Sequence, residues 1–214
     1  MVSMEHFDQL LETDPKKVYG EMLKAYEAGG SNDSELLWRL AKACHALAGR
    51  GYAQAAAKLD DKNFLVLKWA AIMTGSSTDY VGTKEKIEQG NVFKSFLDKA
   101  LNVDSKEYSL LHMRGRYAYS VANLSWLEKK AASAFFATPP EATIDEALRD
   151  FEAANAVRPE WIENLLYIAR CYESKKDKKK AAEILKQVIA IEPSDDSEQE
   201  LIQDARVLLK KTGQ

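Results

Sequence analysis

Residues 162–193 read IENLLYIARCYESKKDKKKAAEILKQVIAIEP, and the spacing of their apolar side chains decides the fold. Leu165, Ile168, Ala169 and Tyr172 fall at i, i+3, i+4 and i+7, one face of a helix. After the polar break centred on Lys175-Lys176-Asp177, residues Ala181, Leu185 and Val188 line one side of a second helix that ends before Pro193. Pro159 stands 34 residues before Pro193, and Ala147, Phe151 and Ala154 precede it as Ala181, Leu185 and Val188 precede Pro193. Two second helices therefore run in strict phase.

A 34-residue period of helix pairs is that of the tetratricopeptide repeat, whose first helix carries apolar or small residues at positions 4, 7, 8 and 11 and whose second carries them at 20, 24 and 27. Working upstream, Leu111, Arg114, Gly115 and Ala118 fit the first-helix positions of a unit beginning at Tyr108. An insertion then separates them from their second helix. It holds Asn123-Leu124-Ser125-Trp126-Leu127, a small-residue run and the break Thr138-Pro139-Pro140, and is expected to lengthen the first helix; the second restarts at the capping box Thr143-x-x-Glu146. In the preceding unit Val66, Trp69, Ala70 and Met73 make the first helix and Phe93, Leu97 and Ala100 the second, with an enlarged loop beginning at Thr74-Gly75-Ser76-Ser77-Thr78. Leu37, Leu40, Ala41 and Cys44 suggest one more first helix, followed by the turn Gly49-Arg50-Gly51 and a short helix from Tyr52 to Leu59. Asp14-Pro15 with Val18, Met22 and Tyr26 marks an N-terminal helix, and Ser197-x-x-Glu200 with Leu201, Ala205 and Leu208 a C-terminal one-faced cap. The expected fold is all-α: an antiparallel helix-hairpin, tetratricopeptide-like, right-handed α-solenoid capped at both ends. A single domain is expected over residues 1–214, divided into 1–33, a degenerate repeat 34–61, repeats 63–106, 108–161 and 162–195, and a cap at 197–214.

Composition agrees. Of 214 residues 46% are hydrophobic and 29% charged, enough to bury a core and too apolar for disorder. A net charge of −3 gives no overall reason to expect nucleic acid as a partner. Cys44 and Cys171 form no CxxC pair, which fits a reducing compartment. No run of about 18 apolar residues and no signal-peptide pattern occur, so a cytoplasmic chain with no transmembrane segment is expected.

No catalytic fingerprint is present, and His6, His45 and His112 have no partners at metal-ligand spacing. The chain is therefore expected to be no enzyme and to need no cofactor or metal. Binding residues are sought in two places. Lys175, Lys176, Lys178, Lys179 and Lys180 form a basic run on the turn of the last hairpin, either a solvated turn or a contact for an acidic surface. The concave side of a repeat array is built from first-helix positions 2, 5, 9 and 12. Those positions give Trp38, Lys42 and His45, then Phe64, Leu67 and Ala71, then His112, Arg116 and Tyr119, then Leu166, Arg170 and Glu173. Aromatics flanked by arginines suit an acidic or amphipathic segment, since Arg pairs bidentately with carboxylates; the same residues could equally line a wet groove. Trp69 with Met73 and Phe93 with Leu97 read as core.

Three stretches carry a further likeness: Leu111-His112-Met113-Arg114-Gly115-Arg116, Ala122-Asn123-Leu124-Ser125-Trp126-Leu127, and Ala131 to Pro140, whose Phe-Ala-Thr-Pro-Pro ending nothing in the generic repeat requires. In these, and in Lys62-Asn63-Phe64 with Lys68-Trp69-Ala70, the chain resembles the regulator of microtubule dynamics family from about Ser34 onward, departing from it near Ala48 to Tyr52. The resemblance implies a partner of tubulin, microtubules or spindle-associated proteins, found in the cytoplasm, on the cytoskeleton and at spindle poles, that supports chromosome segregation. It also implies an alternative, because a membrane-anchored relative has a repeat domain that binds phospholipid: the groove, with Trp126 and Phe135-Phe136 of the insertion, could hold a lipid.

Overall fold

A computed structural model of the chain describes residues 53–78, 81–126 and 141–213, with single positions between 20 and 51 and between 129 and 133. Regular structure among the described residues is helical throughout. After a helical stretch at 53–59 come α1 (Phe64–Ser77), α2 (Thr83–Val103), α3 (Tyr108–Ala122), α4 (Ile144–Val157), α5 (Ile162–Ser174), α6 (Lys178–Ala190) and α7 (Asp196–Thr212). The expected all-α hairpin fold is observed, with α1 packed on α2, α3 on α4, α5 on α6, and α7 closing against α5 and α6. Two compact units divide the chain at Val103 and Asp104. None of the described helices is long and apolar enough to cross a membrane.

In the first unit Asn63 caps α1, its side chain accepting from the backbone N–H groups of Leu65 and Val66. The buried face of α1 is Leu67, Ala70, Ala71, Thr74 and Ser77, so the helix is turned by one residue from the expected Val66, Trp69, Ala70 and Met73. Trp69, expected in the core, is 53% exposed. The cause lies on α2: a Cβ at Gly75 would come 2.8 Å from the Phe93 ring, and only the small-residue side of α1 admits such an approach. Thr74 to Ser77, expected to begin a loop, continue the helix instead. Their hydroxyls bond back into it, Ser77 Oγ to the Thr74 carbonyl at 2.8 Å and Thr78 Oγ1 to the Gly75 carbonyl at 2.7 Å. Arg50 and Gly51, expected in a turn, are helical too. Arg50 reaches Glu85 at 2.9 Å, and the Gln54 amide donates to Thr74 Oγ1 and Gln89 Oε1, both at 3.1 Å, so a polar seam joins this segment to α1 and α2.

In the second unit the capping box is formed as expected: Glu146 N–H donates to Thr143 Oγ1 and Thr143 N–H to Glu146 Oε2. Helix α3 is not lengthened into the insertion. It stops at Ala122, where both the backbone N–H and the side-chain amide of Asn123 donate to the Tyr119 carbonyl, and described helical residues resume at Trp126. The C-terminal helix is capped by Asp195, which accepts from Glu198 N–H, rather than by the expected Ser197. The core runs from Phe151 through Leu165, Ile168, Leu185 and Val188 to Ala205, as the expected core positions require, and takes in Ile162, Leu166 and Ile202 as well. Each large side chain in it contributes about 1.5–3 kcal/mol through removal from water. Arg114 occupies a position the repeat gives to an apolar residue. It is accommodated by the buried Asp150, which accepts from Arg114 Nε at 2.7 Å and Nη2 at 2.9 Å.

A tight junction of this unit is Gly115 against Phe151, where an added Cβ would meet ring atoms at 2.8, 2.9 and 3.0 Å. Phe151 is fully buried and has nowhere to move. Helix propensity alone predicts that Gly115→Ala stabilises by about 1 kcal/mol; the clash predicts a net loss of roughly 1–2 kcal/mol. Thermal denaturation is expected to show a lower Tm for Gly115→Ala, partly restored in the Gly115→Ala/Phe151→Leu double variant. A higher Tm for the single variant would mean that the helices are not held this close.

Candidate functional site

Helix α3 presents Tyr108, His112, Arg116 and Tyr119 as one stripe of i, i+4, i+8 and i+11, and α5 opposes it with Glu163, Asn164, Tyr167 and Arg170 from its own first to third turns. Tyr167 is the centre. The Arg116 guanidinium lies 5.4 Å and that of Arg170 5.1 Å from its ring centroid, Tyr119 meets its edge at 5.7 Å, and Phe151 stacks on it at 5.2 Å. Cations at that distance from an aromatic face are held by the ring quadrupole, at about 0.5–2 kcal/mol each. Arg116 is also bonded to Glu163 at 3.0 Å, and Arg170 faces Asp204 of α7 at 3.7 Å.

His112 lies beneath this surface and not on it. It is 3% exposed, tilted against the Trp161 ring at 4.2 Å, with Phe151 and Tyr167 at 5.4 and 5.7 Å. Its Nδ1 lies 2.9 Å from Asn164 Oδ1, while Asn164 Nδ2 donates to the Phe151 carbonyl at 2.9 Å. The Asn164 amide is thereby oriented with its oxygen toward the ring, so His112 Nδ1 carries the proton. His112 Nε2 is buried with no hydrogen-bond partner among the described residues, and the nearest carboxylate oxygen, Glu163 Oε1, is 3.7 Å away. Glu163 is held below the ordinary carboxylate range by its interaction with His112 first; burial opposes this, and the charges of His112, Arg116 and Arg170 add to it. At 3.7 Å the contact is too long for a closed hydrogen bond, so the lowering through His112 operates only when that ring is an imidazolium, and beside a neutral ring the lowering rests on Arg116 and Arg170.

Of the groove residues read from sequence, the structure brings Arg116, Tyr119 and Arg170 together. Trp38, Lys42 and His45 lie outside the described residues. Leu67, Ala71 and Leu166 are core, and His112 joins them, because position 5 of the first helix packs inward in each described hairpin instead of facing a groove. Tyr167, Glu163, Asn164 and Trp161 were not anticipated. Their signal was available in principle, since Glu163, Tyr167 and Arg170 share one helix face at i, i+4 and i+7.

The basic run is a Schellman turn. Asp177 N–H donates to the Tyr172 carbonyl and Lys176 N–H to that of Glu173, with Lys176 in the left-handed region at φ 63°. Lys175 is ion-paired with Asp145, which raises its pKa, and Lys180 sits 5.2 Å from the Tyr172 ring. Lys176, Lys178 and Lys179 are exposed. Elsewhere Trp126, a candidate for an apolar pocket, is 70% exposed with Lys130 Nζ 5.0 Å from its ring. Burial, and next the charge of Glu152, push the Cys171 thiol up to about 12, so it stays protonated at neutral pH.

Comparison with known proteins places these residues in context. The family model described as Regulator of microtubule dynamics protein 1-3 matches residues 3–213. Regulator of microtubule dynamics protein 1 of Caenorhabditis elegans is 40% identical, the match covering 99% of this chain and 100% of that protein. Its namesake in Bos taurus is 32% identical over 84% of this chain, which spans 61% of the bovine protein. Among solved structures MamA protein matches at 13% identity and a TM-score of 0.49, over 93% of this chain and 86% of that one.

The geometry makes two predictions about stability. Because Glu163 has a lowered pKa in the folded chain, its contribution is present above the ordinary carboxylate range and is lost as pH falls through it. Denaturant melts at pH 7 and pH 3 are expected to show a smaller acid-induced loss for Glu163→Gln than for the parent chain; equal losses would contradict the assignment. Lys176→Gly relieves a left-handed lysine and is expected to raise stability by roughly 0.5–1 kcal/mol in the same assay, whereas a loss would place binding energy of the turn in the lysine side chain.

Proposed function

From the premise that this chain belongs to the regulator of microtubule dynamics family, we propose that it acts on microtubules as a binding scaffold without turnover, docking acidic protein segments against the α3–α5 face. One observation carries the proposal: Arg116 and Arg170 converge on the ring of Tyr167. Two guanidiniums flanking a phenol offer paired donors to carboxylates and a flat apolar surface between them, which suits a segment with Glu or Asp side chains near an aromatic or aliphatic one. The partners proposed are tubulin or spindle-associated proteins, in the cytoplasm and at spindle poles, where such docking would support chromosome segregation. Guanidiniums pair with a headgroup phosphate as with a carboxylate, so the lipid alternative draws on this face for the headgroup and gains nothing from the two arginines for acyl chains. The exposed lysines of the last hairpin, Lys176, Lys178 and Lys179, act in this reading as long-range attraction, which salt screens within about 8–10 Å.

Microtubule co-sedimentation tests the proposal. The chain is expected to pellet with polymer at low salt and to be released progressively as salt rises. Arg116→Glu/Arg170→Glu is expected to weaken binding about tenfold or more, and Lys178→Glu/Lys179→Glu severalfold at low salt only. Absence of pelleting at low salt, or full binding by the double arginine variant, would remove this face from the mechanism.

A further inference from the structure

The docking face contains its own competitor. Glu163 Oε1 lies 3.0 Å from Arg116 Nη1, where a partner's carboxylate would have to bind, and 3.7 Å from the buried Nε2 of His112. That nitrogen has no partner among the described residues, and with the proton on Nδ1 it presents a lone pair toward a carboxylate oxygen. Two acceptors face each other across the gap. A buried acceptor left so is destabilising, and a proton placed between the two removes that cost by turning repulsion into a charge-assisted hydrogen bond.

We propose that an acidic segment displaces Glu163 from Arg116, that Glu163 turns to His112, and that His112 takes up a proton at Nε2, so that docking at this face is coupled to protonation. The inference rests on the docking reading above and specifies its regulation. The groups around His112 agree with a single proton site. On α3 the charged neighbour is Arg116; α5 supplies Glu163, Tyr167 and beyond it Arg170; Arg158 covers Trp161 at 5.1 Å; and α4 presents the Phe151 ring. With Glu163 held on Arg116, a cation at His112 would face Arg116 and Arg170 with its counter-charge shared. With Glu163 turned inward, the new imidazolium is neutralised by it, and the partner's carboxylate neutralises Arg116. Affinity therefore rises as pH falls.

Isothermal titration of the full chain with a synthetic poly-glutamate peptide measures both affinity and proton uptake, the latter from buffers of different ionisation enthalpy. The peptide's own carboxylates stay ionised from about pH 8 down to pH 6. For the parent chain Kd is expected to be about fivefold lower at pH 6 than at pH 8, with net uptake of a fraction of a proton, since one linked proton allows at most a tenfold change per pH unit. Glu163→Gln removes the competitor and should bind more tightly at pH 8 with no pH dependence. His112→Gln should also lose the pH dependence, which separates His112 from His6 and His45. A parent Kd that is flat with pH, or a pH dependence that survives in either variant, would overturn the coupling while leaving docking intact. No binding of the peptide at either pH would overturn the docking reading itself.

Discussion

Two helix pairs in this chain approach so closely that one partner carries no side chain at the point of contact. Gly75 of α1 lies under the Phe93 ring of α2, and Gly115 of α3 under that of Phe151 on α4. Helix hairpins usually keep 8–10 Å between axes, the distance set by the side chains at the crossing. Removing one side chain and placing a phenyl ring in its space satisfies the same packing density with a single large group. The second consequence is orientation. Because only one side of α1 is small enough for Phe93, that side becomes the inner face, and Trp69 is left outside. On α3 the glycine has Arg114 on one side and Arg116 on the other. Arg114 is drawn to Asp150 along the hairpin interface, while Arg116 is left on the opposite side, over Tyr167. The face proposed for docking is thus a by-product of how the hairpin closes.

The sequence period predicted the second unit well because its core is built from side chains of ordinary size at ordinary places. Leu165, Ile168, Ala169, Ala181, Leu185 and Val188 are all buried, and the capping box at Thr143 is formed. The first unit was less legible. There the phenyl ring occupies the position that the repeat gives to a small residue, and the compensating glycine sits on the other helix, so aligning large side chains with large positions turns α1 by one residue. The hydroxyl-rich Thr74 to Thr78 stretch misleads for a related reason. Read alone, Gly, Ser and Thr signal a loop; buried against Gln54 and Arg50, the same hydroxyls find partners within and beside the helix.

For the face itself, the groove positions name Arg116, Tyr119 and Arg170, which the fold gathers around Tyr167, but they place His112 on the surface. What periodicity cannot supply is the offset between neighbouring first helices, which here carries His112 under Trp161 and over Asn164. A histidine at a groove position reads as a polar lining group. Surrounded by Phe151, Trp161 and Tyr167 it is instead a core residue with one nitrogen satisfied. Tyr167 escaped notice because it falls at none of the groove positions, although it joins the two arginines that do.

Charges already paired within the fold limit what the face can gain from a partner. A carboxylate that displaces Glu163 from Arg116 exchanges one ion pair for another, and Arg170 is likewise engaged with Asp204, so the net contribution per contact is the small difference between similar interactions. Single-site affinity on such a face is therefore modest. A polymer lattice that presents the same acidic segment many times compensates by raising the effective concentration after a first contact. The exposed lysines at Lys176, Lys178 and Lys179 add attraction at a distance without demanding a fixed geometry. Weak, salt-sensitive and repeated contact is what the proposed docking implies for a partly self-satisfied surface, one that would exchange along a polymer without binding one site irreversibly.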